Sequence, residues 1–76
     1  MAVAKSLSIQ TEYITLGQML KEVGLIDTGG MAKHFLAERM VKVNGEREDR
    51  RGRKLYDGDE IEIEDTDVYI VSSMSK

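Results

Sequence analysis

The strongest local constraint on the fold is the Asn44-Gly45 pair, which separates Val41–Val43 from Glu46–Glu48. Asn-Gly between two short runs of this kind is the strongest short-range signal for a β-hairpin. A two-residue turn would place Lys42 directly across from Arg47, where like charges disfavour each other. A bound anion would relieve that repulsion, or both side chains would splay into water.

The chain before this hairpin predicts a strand and a helix. Ser8–Ile14 alternates loosely between apolar and polar residues, which indicates a strand. Thr15 and Gln18 then form a capping-box pattern at the start of an apolar helix, and Gly24 is the residue that ends it.

A second helix is predicted between Asp27 and Arg39. Asp27 or Thr28 would cap it, with Gly29-Gly30 in its first turn. Its apolar stripe would consist of Met31, Ala32, Phe35 and Leu36. Lys33 and His34 would face solvent, and the helix would end just before Arg39.

The remainder of the chain predicts further strands. Leu55-Tyr56 would return to the core, Glu60–Glu64 alternates with isoleucine inward and glutamate outward, and Val68–Val71 forms the last strand. The prediction is an α+β fold of order β-αα-ββ-ββ, with two helices packed beside a small, mostly antiparallel sheet. We expect one domain over residues 8–71, with flexible ends at 1–7 and 72–76.

Composition limits the possible functions. The chain has no cysteine and one histidine, so disulfides and a structural zinc site are not expected. No apolar run is long enough to span a membrane, and the lack of cysteine fits the cytoplasm. No nucleophile, base and acid form a recognisable catalytic set. We therefore expect no enzymatic activity, no cofactor and no metal.

Charge is distributed very unevenly. Residues 33–54 hold eight of the eleven lysines and arginines and have a net charge of +4, whereas the rest of the chain has a net charge of −7. A protein that concentrates its cations in one segment is suited to bind a polyanion there. Alternatively, the segment is a solvated loop whose arginines pair locally with Glu46, Glu48 and Asp49.

The order of several short motifs resembles the RNA-binding domain of the ribosomal protein S-four type, the αL motif. The motifs are an apolar helix with Leu16, Met19 and Leu20, then Gly24-Leu25, Ala32, Val41-Lys42-Val43-Asn44-Gly45 and Gly58-Asp59-Glu60-Ile61. Gly29–Lys33 and Glu48–Leu55 resemble most closely the small stand-alone bacterial proteins of YaaA/YbcJ type. The resemblance implies RNA binding by the two helices and the adjoining hairpin.

Two positions differ from the family pattern. Many members carry Ser-Arg at the start of the second helix, where this chain has Thr28-Gly29-Gly30. These residues could contact a phosphate through open backbone N–H groups, or could simply permit a tight turn. Many members also carry glycine at Arg39; a left-handed arginine there would cost roughly 1–2 kcal/mol, and a remodelled turn is the alternative.

We therefore predict a monomeric module that binds structured RNA, such as rRNA, tRNA or the ribosome. The predicted contact surface consists of Lys33, His34, Arg39, Lys42, Arg47, Arg50, Arg51, Arg53 and Lys54. Replacing Arg50, Arg51 and Arg53 together is expected to weaken binding without unfolding the domain. No exposed aromatic pair is expected to act as a stacking platform for bases.

The acidic strand supports a second hypothesis. Glu60, Glu62 and Glu64 would lie away from the basic surface and could help to orient the domain on a polyanion. The same three carboxylates could instead serve a protein–protein interaction or adaptor module.

Overall fold

The computed structural model describes residues 4–73 and contains two helices, a 3-10 turn and seven strands. Helix α1 spans Leu16–Glu22, and helix α2 spans Ala32–Glu38 after a 3-10 turn at Gly29–Met31. The strands are β1 (Ala4–Ile9), β2 (Tyr13–Thr15), β3 (Val41–Val43), β4 (Glu46–Arg47), β5 (Lys54–Tyr56), β6 (Glu60–Ile63) and β7 (Val68–Ser73).

The strands form a main sheet and a separate ribbon. The main sheet has the order β1-β7-β6-β3-β4, and β2 pairs with β5 in a two-stranded ribbon. Only the β1–β7 pair is parallel among these described strand pairs. The predicted α+β class with a mostly antiparallel sheet is therefore confirmed.

The predicted first strand is divided in two. β1 ends at Ile9 and pairs with β7, whereas β2 begins at Tyr13 and pairs with β5. A bend between them is needed because the two halves have different partners.

The strands β1 and β7 also reach past the predicted boundaries at residues 8 and 71, so residues 4–7 and 72–73 are paired where flexible ends were expected. Residues 1–3 and 74–76 lie outside the described part of the chain.

Helix α1 begins and ends as the sequence predicts. The Thr15 hydroxyl accepts a hydrogen bond from the Gln18 N–H, and the Gln18 side chain accepts one from the Thr15 N–H. At the other end Gly24 has φ of +82°, and the Leu25 N–H donates to the Leu20 carbonyl. These bonds complete a capping box and a Schellman motif, which satisfy groups that a helix end leaves unpaired.

The second helix begins differently from the prediction. Gly29-Gly30 belong to the 3-10 turn, and Thr28 precedes it without a side-chain capping hydrogen bond. Met31 was expected in the apolar stripe but is 43% exposed. The helix ends before Arg39, as expected. Arg39 has an extended backbone with φ of −117°, so the turn differs from the left-handed turn that a glycine would form here and carries no left-handed strain.

One hydrophobic core joins α1, α2 and the inner face of both sheets. Ile61 and Ile63 are buried while Glu60 and Glu62 are exposed, which confirms the predicted alternation in β6. Leu55 is also buried, but its neighbour Tyr56 is exposed, contrary to expectation. Within residues 4–73, neither helix has the length and apolar character needed to cross a membrane.

The predicted hairpin is present and is tied to a distant turn. Asn44 and Gly45 have φ of 53° and 87°, as a type I′ turn requires. The Asn44 side chain donates to the Asp59 carboxylate at 3.1 Å and accepts from the Glu60 N–H at 3.0 Å. Asp59 also accepts a hydrogen bond from the Tyr56 N–H. The Asn-Gly and Gly-Asp motifs, far apart in sequence, therefore form one connected structure.

Candidate nucleic-acid interface

Residues 48–53, here called the Arg-rich loop, are docked on the N-terminus of α1. The Leu16 N–H donates to the Arg53 carbonyl at 2.8 Å, and the Gly17 N–H donates to the Arg51 carbonyl at 2.8 Å. A helix leaves its first N–H groups without partners inside the helix. The loop supplies those partners, so its backbone is fixed against the rigid core.

The buried Glu48 carboxylate binds two arginines of the loop. Its carboxylate is only 6% exposed and accepts hydrogen bonds from Arg50 Nε at 2.9 Å, Arg50 Nη2 at 3.2 Å and Arg53 Nη1 at 2.8 Å. It also accepts the Arg50 backbone N–H at 3.1 Å. Local pairing, which the sequence left open as an alternative, is therefore present for Glu48.

The same contacts control the charge of Glu48. Hydrogen bonding from Arg50, opposed by burial and reinforced by Arg53, lowers the pKa of Glu48 from 4.5 to about 2. Glu48 also raises the pKa of Arg50. The carboxylate thus stays ionised at neutral pH and offsets one of the two guanidinium charges that it binds.

Arg51 differs from the other two arginines of the loop. It is exposed, and it takes part in none of the ion pairs found within residues 4–73. Its Cβ lies 3.4 Å from the position that a Cβ on Gly17 would occupy, which shows how closely the loop approaches α1. Arg51 therefore presents a charge that Glu48 does not offset, on an anchored backbone.

Lys42 and Arg47 lie on a face of mixed charge. Lys42 is the direct cross-strand partner of Arg47 on β4, as predicted, but its partner on the other side is Glu62 of β6. A carboxylate from the protein itself thus neighbours this lysine. The expectation that the acidic strand lies away from the basic surface is wrong, because β3 is sandwiched between β4 and β6.

The remaining predicted cations are exposed but dispersed. Lys33 and His34 lie on the exposed side of α2, and Arg39 lies 5.8 Å from the centre of the Phe35 ring. Phe35 is only partly buried against the core. Among the side-chain hydrogen bonds, ion pairs and cation–π contacts of residues 4–73, none joins Lys33 or His34 to the Arg-rich loop.

The turn before α2 approaches the Arg-rich loop. Gly29 lines a shallow depression of about 280 Å³ together with Arg51, Gly52 and Thr15. Gly29 and Gly30 are exposed, and apart from Gly29 and its two chain neighbours no residue has an atom within 4 Å of where a Cβ on Gly29 would be. The structure thus brings one of the predicted phosphate-contacting residues next to Arg51.

An exposed aromatic pair lies beside the loop, contrary to expectation. Tyr13 and Tyr56 are direct partners across the β2–β5 ribbon, with ring centres 5.7 Å apart, and they are 38% and 43% exposed. The Lys54 ammonium lies 5.0 Å from the centre of the Tyr13 ring. Sequence reasoning missed the pair because it treated residues 8–14 as a single strand and assigned Tyr56 to the core.

A metal centre has no support in the described part of the chain. Within residues 4–73, no three histidine, aspartate or glutamate side chains are grouped closely enough to hold an ion. Asp57 and Asp59 instead accept backbone N–H groups, from Ser73 at 2.8 Å and from Tyr56 at 2.7 Å.

Comparison with known proteins gives two results. The sequence model of the S4 domain matches residues 7–71. The chain is also 61% identical over 61 residues to a protein of Bacillus subtilis (strain 168) named as a probable ribosome maturation protein, RlbA. That match covers 80% of this chain and 86% of the relative.

Proposed function

Because this chain belongs to the S4 domain family, we propose that it is a non-enzymatic RNA-binding module that recognises structured RNA through its basic surface. Its partner would be ribosomal RNA, transfer RNA or the ribosome. The name of the Bacillus subtilis relative, with its reference to ribosome maturation, favours ribosomal RNA or an assembling ribosomal particle. We propose a cytoplasmic location for such a role.

The observation that carries this proposal is the anchored Arg-rich loop. Guanidinium groups bind phosphate oxygens with two parallel hydrogen bonds, and binding is stronger when little conformational freedom is lost. The Arg51 and Arg53 carbonyls fix the loop to α1, and Glu48 fixes two of its side chains. The cations are therefore presented on a preorganised backbone.

The proposed contact residues differ in the charge they can offer. Arg51 and Lys54 have no carboxylate partner among the ion pairs of residues 4–73, whereas Arg50 and Arg53 share Glu48. Arg50 is still 74% exposed in its side chain, so it can contact a phosphate while paired. Lys33, His34, Arg39, Lys42 and Arg47 would extend the surface along α2 and the hairpin.

The turn at Thr28-Gly29-Gly30 is a further proposed phosphate contact. Its support is the depression that Gly29 shares with Arg51 and Gly52. A phosphate there would contact backbone N–H groups and the Arg51 guanidinium together. A tight turn without ligand remains the simpler role for the glycines.

Crosslinking in cells followed by sequencing of the bound RNA tests the proposal. We expect crosslinks that cluster in structured segments of ribosomal RNA or transfer RNA and that decrease in an Arg51→Ala variant. A matched Lys5→Ala variant removes a cation from β1, which lies at the opposite edge of the main sheet from the hairpin, and should leave the crosslinks unchanged. Absence of RNA crosslinks above background would contradict the proposal.

A protein–protein adaptor role through Glu60, Glu62 and Glu64 is the alternative. Lys42 of β3 is the direct cross-strand neighbour of Glu62, so a cation borders that acidic face. Protein partners that remain bound after nuclease treatment, and that are lost in a Glu60→Gln/Glu64→Gln variant, would favour the adaptor.

A further inference from the structure

We propose that the open face of the β2–β5 ribbon stacks unpaired bases of the bound RNA. This inference rests on the proposed RNA binding and adds a second mode of contact to it. The face consists of Tyr13, Thr15, Lys54 and Tyr56.

The geometry of the ribbon exposes the two rings together. Tyr13 and Tyr56 are directly opposite in register, so their side chains emerge on the same face. The adjacent pair, Ile14 and Leu55, points to the other face and is buried in the core. The rings therefore stand on a supported backbone with substantial parts of their surface in water.

The two rings are tilted and do not cover each other face to face, so a base would stack on an outer ring face and not between the rings. Their planes meet at 45° with centres 5.7 Å apart, so they are not stacked face to face on each other. Tyr13 also lines an open depression of about 720 Å³ with Gln10, Thr11 and Gln18. Hydroxyl and amide groups of this kind can hydrogen-bond to the edges of a base.

Charge next to the rings favours a nucleic acid as the occupant. The Lys54 ammonium is 5.0 Å from the Tyr13 ring centre, and Lys54 directly follows Arg53 of the Arg-rich loop. Stacking rings beside cations is the combination by which proteins bind single-stranded nucleic acid. An RNA whose phosphates lie on the Arg-rich loop would thus reach the ribbon with its next unpaired nucleotides.

The ribbon also has a purely structural alternative. A cross-strand aromatic pair stabilises a ribbon by its own contact, and a lysine above a ring adds to that. If this were their only role, substituting the tyrosines would lower the thermal stability of the protein. It would not change how much more tightly the protein binds RNA with bases than RNA that lacks them.

The test compares two RNA probes of equal charge. One is a stem-loop with a single-stranded oligoadenylate tail, and the other has the same stem-loop with an abasic tail of equal length. We expect the wild-type protein to bind the adenine tail about tenfold more tightly. Tyr13→Leu/Tyr56→Leu should remove this preference, and Tyr13→Phe/Tyr56→Phe should retain it, with the melting temperature of each variant measured alongside.

A second readout does not depend on the folding of any variant. The chain has three tyrosines and no tryptophan, and Tyr69 is only 8% exposed. Tyrosine fluorescence of the wild-type protein should therefore be quenched by the adenine tail and much less by the abasic tail.

The outcomes separate this inference from the proposed function. Equal binding of both probes by the wild type, with equal quenching, overturns base stacking and leaves RNA binding intact. Failure of both probes to bind overturns both proposals. A preference for adenine that persists in the leucine variant also overturns the inference. If the folded leucine variant keeps its RNA binding but loses a protein partner, this face serves protein contact and the inference is overturned as well.

Discussion

The Arg53 guanidinium donates a 2.8 Å hydrogen bond to the buried carboxylate of Glu48, while the Arg53 carbonyl accepts the Leu16 N–H. One residue thus links a buried acid to the N-terminus of α1. This relationship makes the Arg-rich loop part of the folded core as well as a candidate binding surface, so substitutions within it have two kinds of effect.

Glu48→Ala should destabilise the domain. It removes the shared acceptor of two arginines and leaves the half-buried Arg53 without it, which costs about 1–3 kcal/mol. In a domain of this size each kcal/mol lowers Tm by roughly 4–8 °C. Thermal unfolding measures the loss, and Glu46→Ala, an exposed acid two residues away, is the matched control that should change Tm little. Equal Tm values for the two variants would show that the ion pairs contribute nothing to stability.

Stability should also depend on pH through Glu48. Its pKa is lowered from 4.5 to about 2 on folding, so the unfolded chain takes up this proton more readily than the folded protein. The contribution is complete above about pH 5 and is lost as the pH falls toward 2. We expect a loss on the order of 1–2 kcal/mol, since solvent reaches the exposed Arg50.

Denaturant unfolding at a series of pH values measures this loss. Glu48→Gln keeps the shape of the side chain but cannot titrate. The difference in stability between wild type and Glu48→Gln should therefore shrink between pH 5 and 2. A difference that stays constant across this range would contradict the assigned pKa.

Substitutions at Arg51 and Arg53 should separate an effect on RNA affinity from an effect on the stability of the domain. Arg51→Ala should weaken RNA binding with little change in Tm, because Arg51 takes part in none of the ion pairs of residues 4–73. Arg53→Ala should lower Tm as well, since it breaks a bond to the buried Glu48. Replacing Arg50, Arg51 and Arg53 together, which is expected to weaken binding without unfolding the domain, should therefore also lower Tm. Parallel affinity and thermal measurements on the two single variants check this, and an equal fall in Tm would refute it.

Glu62→Gln should tighten RNA binding. Glu62 neighbours Lys42 on the face that also carries Arg47, so its charge opposes an approaching phosphate. Removing an exposed charge of this kind should improve affinity by roughly two- to fivefold at low salt. Glu22→Gln makes the same charge change at the end of α1 and should have a smaller effect. If both variants behave alike, the hairpin is not part of the contact surface.

Asn44 should be important for the stability of the hairpin. Asn44→Gly tolerates the positive φ but loses two side-chain hydrogen bonds, to Asp59 and Glu60, which should cost about 1–2 kcal/mol. Asn44→Ala adds the strain of a left-handed alanine, roughly 1–2 kcal/mol more. Denaturant unfolding of both variants measures the cost of the lost hydrogen bonds and the cost of the backbone strain. Equal stabilities of Asn44→Gly and Asn44→Ala would show that backbone strain is negligible here.

Local signals allowed the sequence to predict much of the fold. The capping box at Thr15, the left-handed Gly24 and the type I′ turn at Asn44-Gly45 are each determined by neighbouring residues, and each was predicted correctly. The alternation in β6 similarly predicted which side chains are buried.

The features that were missed depend on contacts between distant segments. The split between β1 and β2 follows from pairing with β7 and β5, which local alternation cannot show. Sequence alone left local pairing of Glu48 as one of two alternatives, because its burial depends on how the loop docks onto α1. The position of Glu62 beside Lys42 likewise requires the strand order of the sheet.

The most direct test of the central claim is the salt dependence of binding to a structured RNA, measured for the wild type and Arg51→Ala. A surface that binds phosphates releases counterions, so log K should fall linearly with log salt concentration, with a slope of several units. Arg51→Ala should reduce that slope by about 1. An affinity that does not change with salt, or no binding to structured RNA at low salt, would contradict the account.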